Sequence, residues 1–160
     1  MDYEALLVEA DEEGLIVKEK PLKYNNGRIK GKRIAIRKDI GTTTEKKCVL
    51  AEELGHHYTT VGNILDMTDI SNRKQERQAR MWGYDKLIGL KRLIEAYEHG
   101  CRDRYELAEY LEVTDEYLQE CIDCYREKYG VCTTVGDYYI MFIPNLQVGK
   151  IIQTASQYQG

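Results

Sequence analysis

The sequence predicts one α+β domain, mainly helical, on three observations. Apolar residues recur at helical spacing over most of the chain, in segments that open on Asp, Thr or Asn and close at glycine. Two shorter stretches, one before Thr42 and one after Gly130, have the apolar content and turn residues of strands. The length of 160 residues, with 42% hydrophobic and 31% charged, suits a single domain able to bury a core. No run approaches the ~20 consecutive apolar residues of a spanning helix, so no membrane is expected as a partner. Met1 to Ala10 carries Asp2, Glu4 and Glu9 in place of a basic leader, which makes the cytoplasm the expected compartment. Five cysteines cannot all pair internally, and reduced thiols are expected there.

Taken in order, Tyr3 to Glu13 places Leu6, Leu7 and Ala10 at helical spacing, with Gly14 at the C-terminal end. Leu15 to Val17 and Pro21 lead into a β-rich stretch with turn signals at Asn25-Asn26-Gly27 and Gly31 and the alternating Arg33 to Arg37, which reads as a short antiparallel sheet. Thr42 and Glu45 make a capping box for a helix from Thr43 to Thr60, with Val49, Leu50 and Leu54 facing inward. A loop follows at Gly62-Asn63 and Asp66 to Ile70. Asn72 with Gln75 caps the next helix, which runs to Ile88 and breaks or kinks at Gly89; Leu90, Leu93, Ile94 and Tyr97 continue in phase to Gly100. Asp103 with Glu106, then Thr114, start two further helices, the second closed by Gly130. Val131 to Val135 and Tyr138 to Ile143 make a β-hairpin about Gly136-Asp137. The expected domain covers residues 1–144, with its motif core at 30–90 and a helix-turn-helix-like pair at 101–130. Residues 145–160 form a tail with few anchors.

The net charge of −4 is unevenly placed. Lys18 to Lys38 holds nine basic residues against Glu19 alone, whereas Cys101 to Tyr129 holds four basic residues against nine acidic ones. A DNA-reading helix needs cationic or amide side chains, and the second helix of the 101–130 pair offers Asp115, Glu116, Glu120 and Asp123 instead. No direct nucleic-acid partner is expected. The acidic face suits either a basic protein partner or plain solvation. The basic strand from Arg28 to Lys38 reads equally as a sheet edge that receives a substrate strand or as lysine protection of an exposed edge. Cys121 and Cys124, spaced C-x-x-C on a helix with no second such pair, read as buried structural thiols.

The informative stretch is Cys48 to His57, CVLAEELGHH, in the middle of the capped helix. Residues four apart share a helix face, so Glu52 and His56 can converge on one ion while Glu53 reaches a water on it. This is the mechanics of H-E-x-x-H with Glu52 in the first position, and a third protein ligand is required. Two other readings stay open. Glu53 and His57 are also four apart, and a polar helix face rich in Glu and His needs no metal at all.

Ala51 to His57 resembles the motif helix of the ImmA/IrrE family of cytoplasmic metallopeptidases, in which H-E-L-G-H is followed one loop later by E-x-x-A. Glu76-Arg77-Gln78-Ala79 occupies that second place. The resemblance implies a zincin-like fold with Glu52, His56 and Glu76 as metal ligands and Glu53 as the general base; Asp66 and Asp69 are alternative third ligands. It also implies a zinc-dependent endopeptidase whose substrate is a protein, a helix-turn-helix repressor encoded with a prophage or mobile element. Glu52 departs from the family's His. Two carboxylates leave a divalent ion formally neutral, which lowers the pKa of its bound water less and lets Mn2+ or Fe2+ compete with Zn2+. The rival function is a weakly active or inactive relative that binds protein through the same scaffold.

Overall fold

The computed structural model describes residues 1–60 and 69–152, and contains no helix long and apolar enough to cross a membrane. Six helices and six strands are formed by the described residues, in two small sheets. Helix α1 (Tyr3–Glu12) leads into β1 (Ile16–Lys20), β2 (Gly27–Lys30) and β3 (Arg33–Arg37). Helices α2 (Thr43–Thr59), α3 (Asp69–Leu87), α4 (Gly89–His99), α5 (Arg104–Leu111) and α6 (Asp115–Tyr129) follow, and β4 (Cys132–Val135), β5 (Tyr138–Met141) and β6 (Gln147–Lys150) close the chain.

The first sheet is ordered β1-β3-β2. Its β2–β3 hairpin is the antiparallel pair, turning at Gly31-Lys32, and β1 joins the far side of β3 in parallel, Ile16 opposite Arg33. Alternation along β3 buries Ile34 and Ile36 and leaves Arg33 in water. Helix α2 lies across β2 and β3, with Leu50 and Leu54 fully buried and Val49 packed at the margin. Thr42 caps it by accepting from the Glu45 N–H at 3.1 Å.

The loop expected at Asp66 to Ile70 differs. Residues 61–68 lie outside the described residues, but α3 already includes Asp69 and Ile70, so Asn72 stands inside the helix and does not cap it. Further on, α3 and α4 are separated at Ile88 and Gly89, where φ is +69°. Asp103 accepts from Glu106 N–H at 2.8 Å, while the Glu106 carboxylate reaches back to Arg102 N–H at 2.8 Å. Thr114 caps α6 through Tyr117 N–H.

The second sheet has one strand more than the expected hairpin. Gln147–Lys150, placed by the sequence in the loose tail 145–160, pairs antiparallel with β5. The Tyr139 ring lies over Gly149, where a side chain would collide with it, and this cross-strand contact supplies the missing anchor. Residues 153–160 lie outside the described residues. Cys121 is buried and Cys124 half-buried, both as free thiols.

The contact that matters most for the site is between α2 and α3. A methyl group at Gly55 would run into the Ala79 carbonyl, and one at Gly83 would stand 3.4 Å from the Ala51 carbonyl oxygen. Residue 55 meets 79 and residue 51 approaches 83, so the helices run antiparallel with small residues one turn apart on each. The hydroxyl of the buried Tyr117 is also at this crossing, without a hydrogen-bond partner among the described residues. On its other side α3 is tied to α6: Tyr125 donates to Asp85 at 2.6 Å, Tyr84 donates to Glu120 at 3.3 Å, and Arg77 pairs with Glu127. Because the obstruction at Gly55 is backbone, Gly55→Ala is expected to destabilise the fold by about 2–3 kcal/mol, read as a lower midpoint in urea unfolding.

Candidate metal centre

The antiparallel crossing turns the residues beside Ala51, Gly55 and Ala79 toward one another. Glu52 and His56 are one turn apart on α2, and Glu76 is one turn before Arg80 on α3. The carboxylates of Glu52 and Glu76 and a ring nitrogen of His56 all lie within 4.8 Å of one another. His56 Nε2 is 3.5 Å from Glu76 Oε2. Tetrahedral coordination with bonds near 2.0–2.1 Å requires donor atoms about 3.3 Å apart, so the His56–Glu76 edge is nearly that of a loaded site. The remaining difference lies within reach of the two carboxylates. Their side chains are 40% and 52% exposed, whereas His56 is 20% exposed. The donor set fits a divalent cation.

Glu53 is placed differently from its neighbour. It is 8% exposed, under the β2 backbone: a Cβ at Gly27 would be 2.9 Å from Glu53 Oε1 and 2.6 Å from Val49 Cγ1. Glycine at 27 therefore lets the strand approach the carboxyl group. Burial, reinforced by the carboxylates of Glu52 and Glu76, pushes the Glu53 pKa from 4.5 up to about 7 in the metal-free protein.

Of the alternatives, His57 turns away from Glu53. Its Nε2 is 3.4 Å from Oε1 of Glu13, the C-cap residue of α1, and its ring meets Tyr58 edge-on, which in turn stacks on Trp82. Asp66 and the side chain of Asp69 lie outside the described residues. The sequence reading missed Arg80. Its Nε stands 3.7 Å from Glu52 Oε1 and supplies a positive charge where the family pattern has none to balance. The i to i+4 step from Glu76 was the available signal. Gly27 was read only as a turn residue, since nothing in the sequence says which helix a turn will cover.

The sequence profile of the IrrE N-terminal-like domain, peptidase M78, matches residues 10–122. The chain belongs to that family. No curated protein and no solved structure matches it. Membership of the IrrE N-terminal-like family makes residues 10–122 a metallopeptidase-like domain and implies a metal cofactor, for which Glu52, His56 and Glu76 form a suitable cluster. The match spans α2, α3 and the first half of α6, so the helices that build the cluster fall inside the family domain.

Two outcomes follow from the charges. A carboxyl group whose folded pKa exceeds its unfolded value destabilises the fold once it ionises, at pH above both values, and contributes nothing below both. In chelator, Glu53→Gln should therefore stabilise the protein by up to about 3 kcal/mol at pH 8 and leave it unchanged below pH 4.5 in urea unfolding. Arg80 repels a cation held by Glu52. Arg80→Ala is expected to tighten Zn2+ binding up to about fivefold in calorimetry at low salt, with a smaller gain at high salt.

Proposed function

We propose that this chain is a metal-dependent endopeptidase, loaded with Zn2+ or with Mn2+ or Fe2+, that cleaves a cytoplasmic transcriptional repressor of helix-turn-helix type. The observation that carries the reading is the convergence of Glu52, His56 and Glu76 next to a buried carboxyl group, Glu53, on the same helix. A bound divalent cation would polarise the scissile carbonyl and acidify a water. Glu53 would be the general base, accepting a proton from the attacking water and giving it to the leaving amine, a task suited to a carboxyl group whose affinity for protons is raised by burial. The ligand roles belong to Glu52, His56 and Glu76.

The sheet supplies a place for the substrate main chain. In the order β1-β3-β2, strands β1 and β2 are the edges, and Gly27 brings β2 against Glu53. An extended peptide added to that edge lies beside the base and meets Arg28 and Lys30, both on β2. Cleavage of a repressor would relieve repression of the prophage or mobile element that encodes it. The acidic α6 gives no support to a DNA partner.

A second reading, a protein-binding regulator with little activity, is favoured by the contact between Arg80 and Glu52, which occupies one ligand with an internal partner. Metal analysis and digestion of candidate repressors separate the two. The endopeptidase reading expects one metal per chain, lost in His56→Ala, and cleavage reduced about 10²- to 10⁴-fold in Glu53→Gln with the metal retained. Absence of transition metal after loading, or cleavage undiminished in Glu53→Gln, overturns it.

A further inference from the structure

A cavity of 660 Å³ opens between α4, α5, α6 and the β4-β5-β6 sheet. None of its lining residues belongs to α2 or α3, so it is separate from the metal cluster. Its size falls within the ~300–1,000 Å³ usual for small-molecule sites. Leu93, Leu107, Ile122 and Val148 supply an apolar lining, and Tyr139, pinned over Gly149, forms part of the wall.

The charge of this lining runs against its surroundings. Between Cys101 and Tyr129 acidic residues outnumber basic ones by nine to four, yet three of the four basic residues, Arg102, Arg104 and Arg126, line the cavity. Asp103 is the acidic residue among them, and one of its carboxylate oxygens caps α5, so the lining carries three positive charges against one negative. Arg126 is partly satisfied, donating to the Phe142 carbonyl at 3.2 Å and standing 3.8 Å from Asp123. Arg104 donates to the neutral amide of Gln119 at 2.7 Å. Among the described residues, neither Arg102 nor Arg104 has a carboxylate within ion-pair distance of its guanidinium. Guanidinium groups with donors to spare, above apolar surface, match an acid group carried on a hydrocarbon or aromatic body.

We propose that this cavity binds a small organic anion, a carboxylate or phosphate on an apolar body, with Arg102 and Arg104 holding the acid group and Leu93, Leu107, Ile122 and Val148 packing against the rest. The proposal stands apart from the peptidase reading and needs no metal.

The test uses the full chain in chelator with two fluorescent probes, 1-anilinonaphthalene-8-sulfonate and N-phenyl-1-naphthylamine, which share the ring system and differ by the sulfonate. One saturable site is expected, with the sulfonate bound at least about tenfold more tightly. Arg102→Ala with Arg104→Ala removes that advantage and leaves the neutral probe unaffected. Both arginines are exposed, and an unchanged circular dichroism spectrum confirms that the variant is folded. An independent reading comes from Cys101 in the lining of the unmutated protein: the sulfonate slows its maleimide labelling, mapped by peptide mass, and leaves the exposed Cys132 unprotected. Displacement by decanoate points to a carboxylate ligand, and displacement by decyl phosphate to a phosphate. Equal affinity for the two probes, displacement by decanol as effective as by the acids, or unslowed labelling of Cys101 overturns the proposal.

Discussion

The close approach of α2 and α3 is the constraint on which the rest of the structure depends. Helices normally pack 8–10 Å apart, and side chains of ordinary size at the crossing would hold the pair toward the upper end of that range. Here Ala51 and Gly55 meet Gly83 and Ala79, so backbone comes against backbone. Residues flanking such a contact are brought within reach of each other: Glu52 and His56 on one helix, Glu76 and Arg80 on the other. The glycine of the motif helix and the alanine of the E-x-x-A segment are therefore parts of the same joint, and the ligating side chains stand at its margin.

That joint concentrates negative charge. Glu52, Glu53 and Glu76 lie within a small volume, and neighbouring groups offset that charge. The Arg80 guanidinium stands by Glu52, the His56 ring lies 3.5 Å from the Glu76 carboxylate, and the buried Glu53 holds its proton to higher pH. A divalent ion would compete with Arg80 for Glu52 and lower the proton affinity of Glu53. The exchange of the family's first His for Glu52 thus coincides with an arginine one turn beyond Glu76, so the added negative charge has a local counterpart.

Periodicity and capping made most of the fold legible. The spacing of Leu50 and Leu54, the caps at Thr42, Asp103 and Thr114, and the break at Gly89 each reflect local rules, and each is found where those rules place it. Features set by distant neighbours were less accessible. Strand β1 reaches β3 in parallel because β2 and β3 fold back as a hairpin, leaving the far side of β3 open, and β6 is held by the Tyr139 ring over Gly149. Neither contact has a local signature. For the metal cluster, the i to i+4 rule gave Glu52 and His56, but the approach of Glu76 came from family resemblance. Arg80 and Gly27 entered only with the packing of α3 and β2 against α2.

The two glycines of the joint differ in how they constrain descent. What stands in the way at Gly83 is first of all the Tyr117 hydroxyl, a side-chain atom that another residue can withdraw. What stands in the way at Gly55 is the main chain of Ala79, which every amino acid possesses. A lineage that loses the first glycine has a second-site suppressor at hand, whereas one that loses the second can recover only by sliding a whole helix, and Glu76 with it.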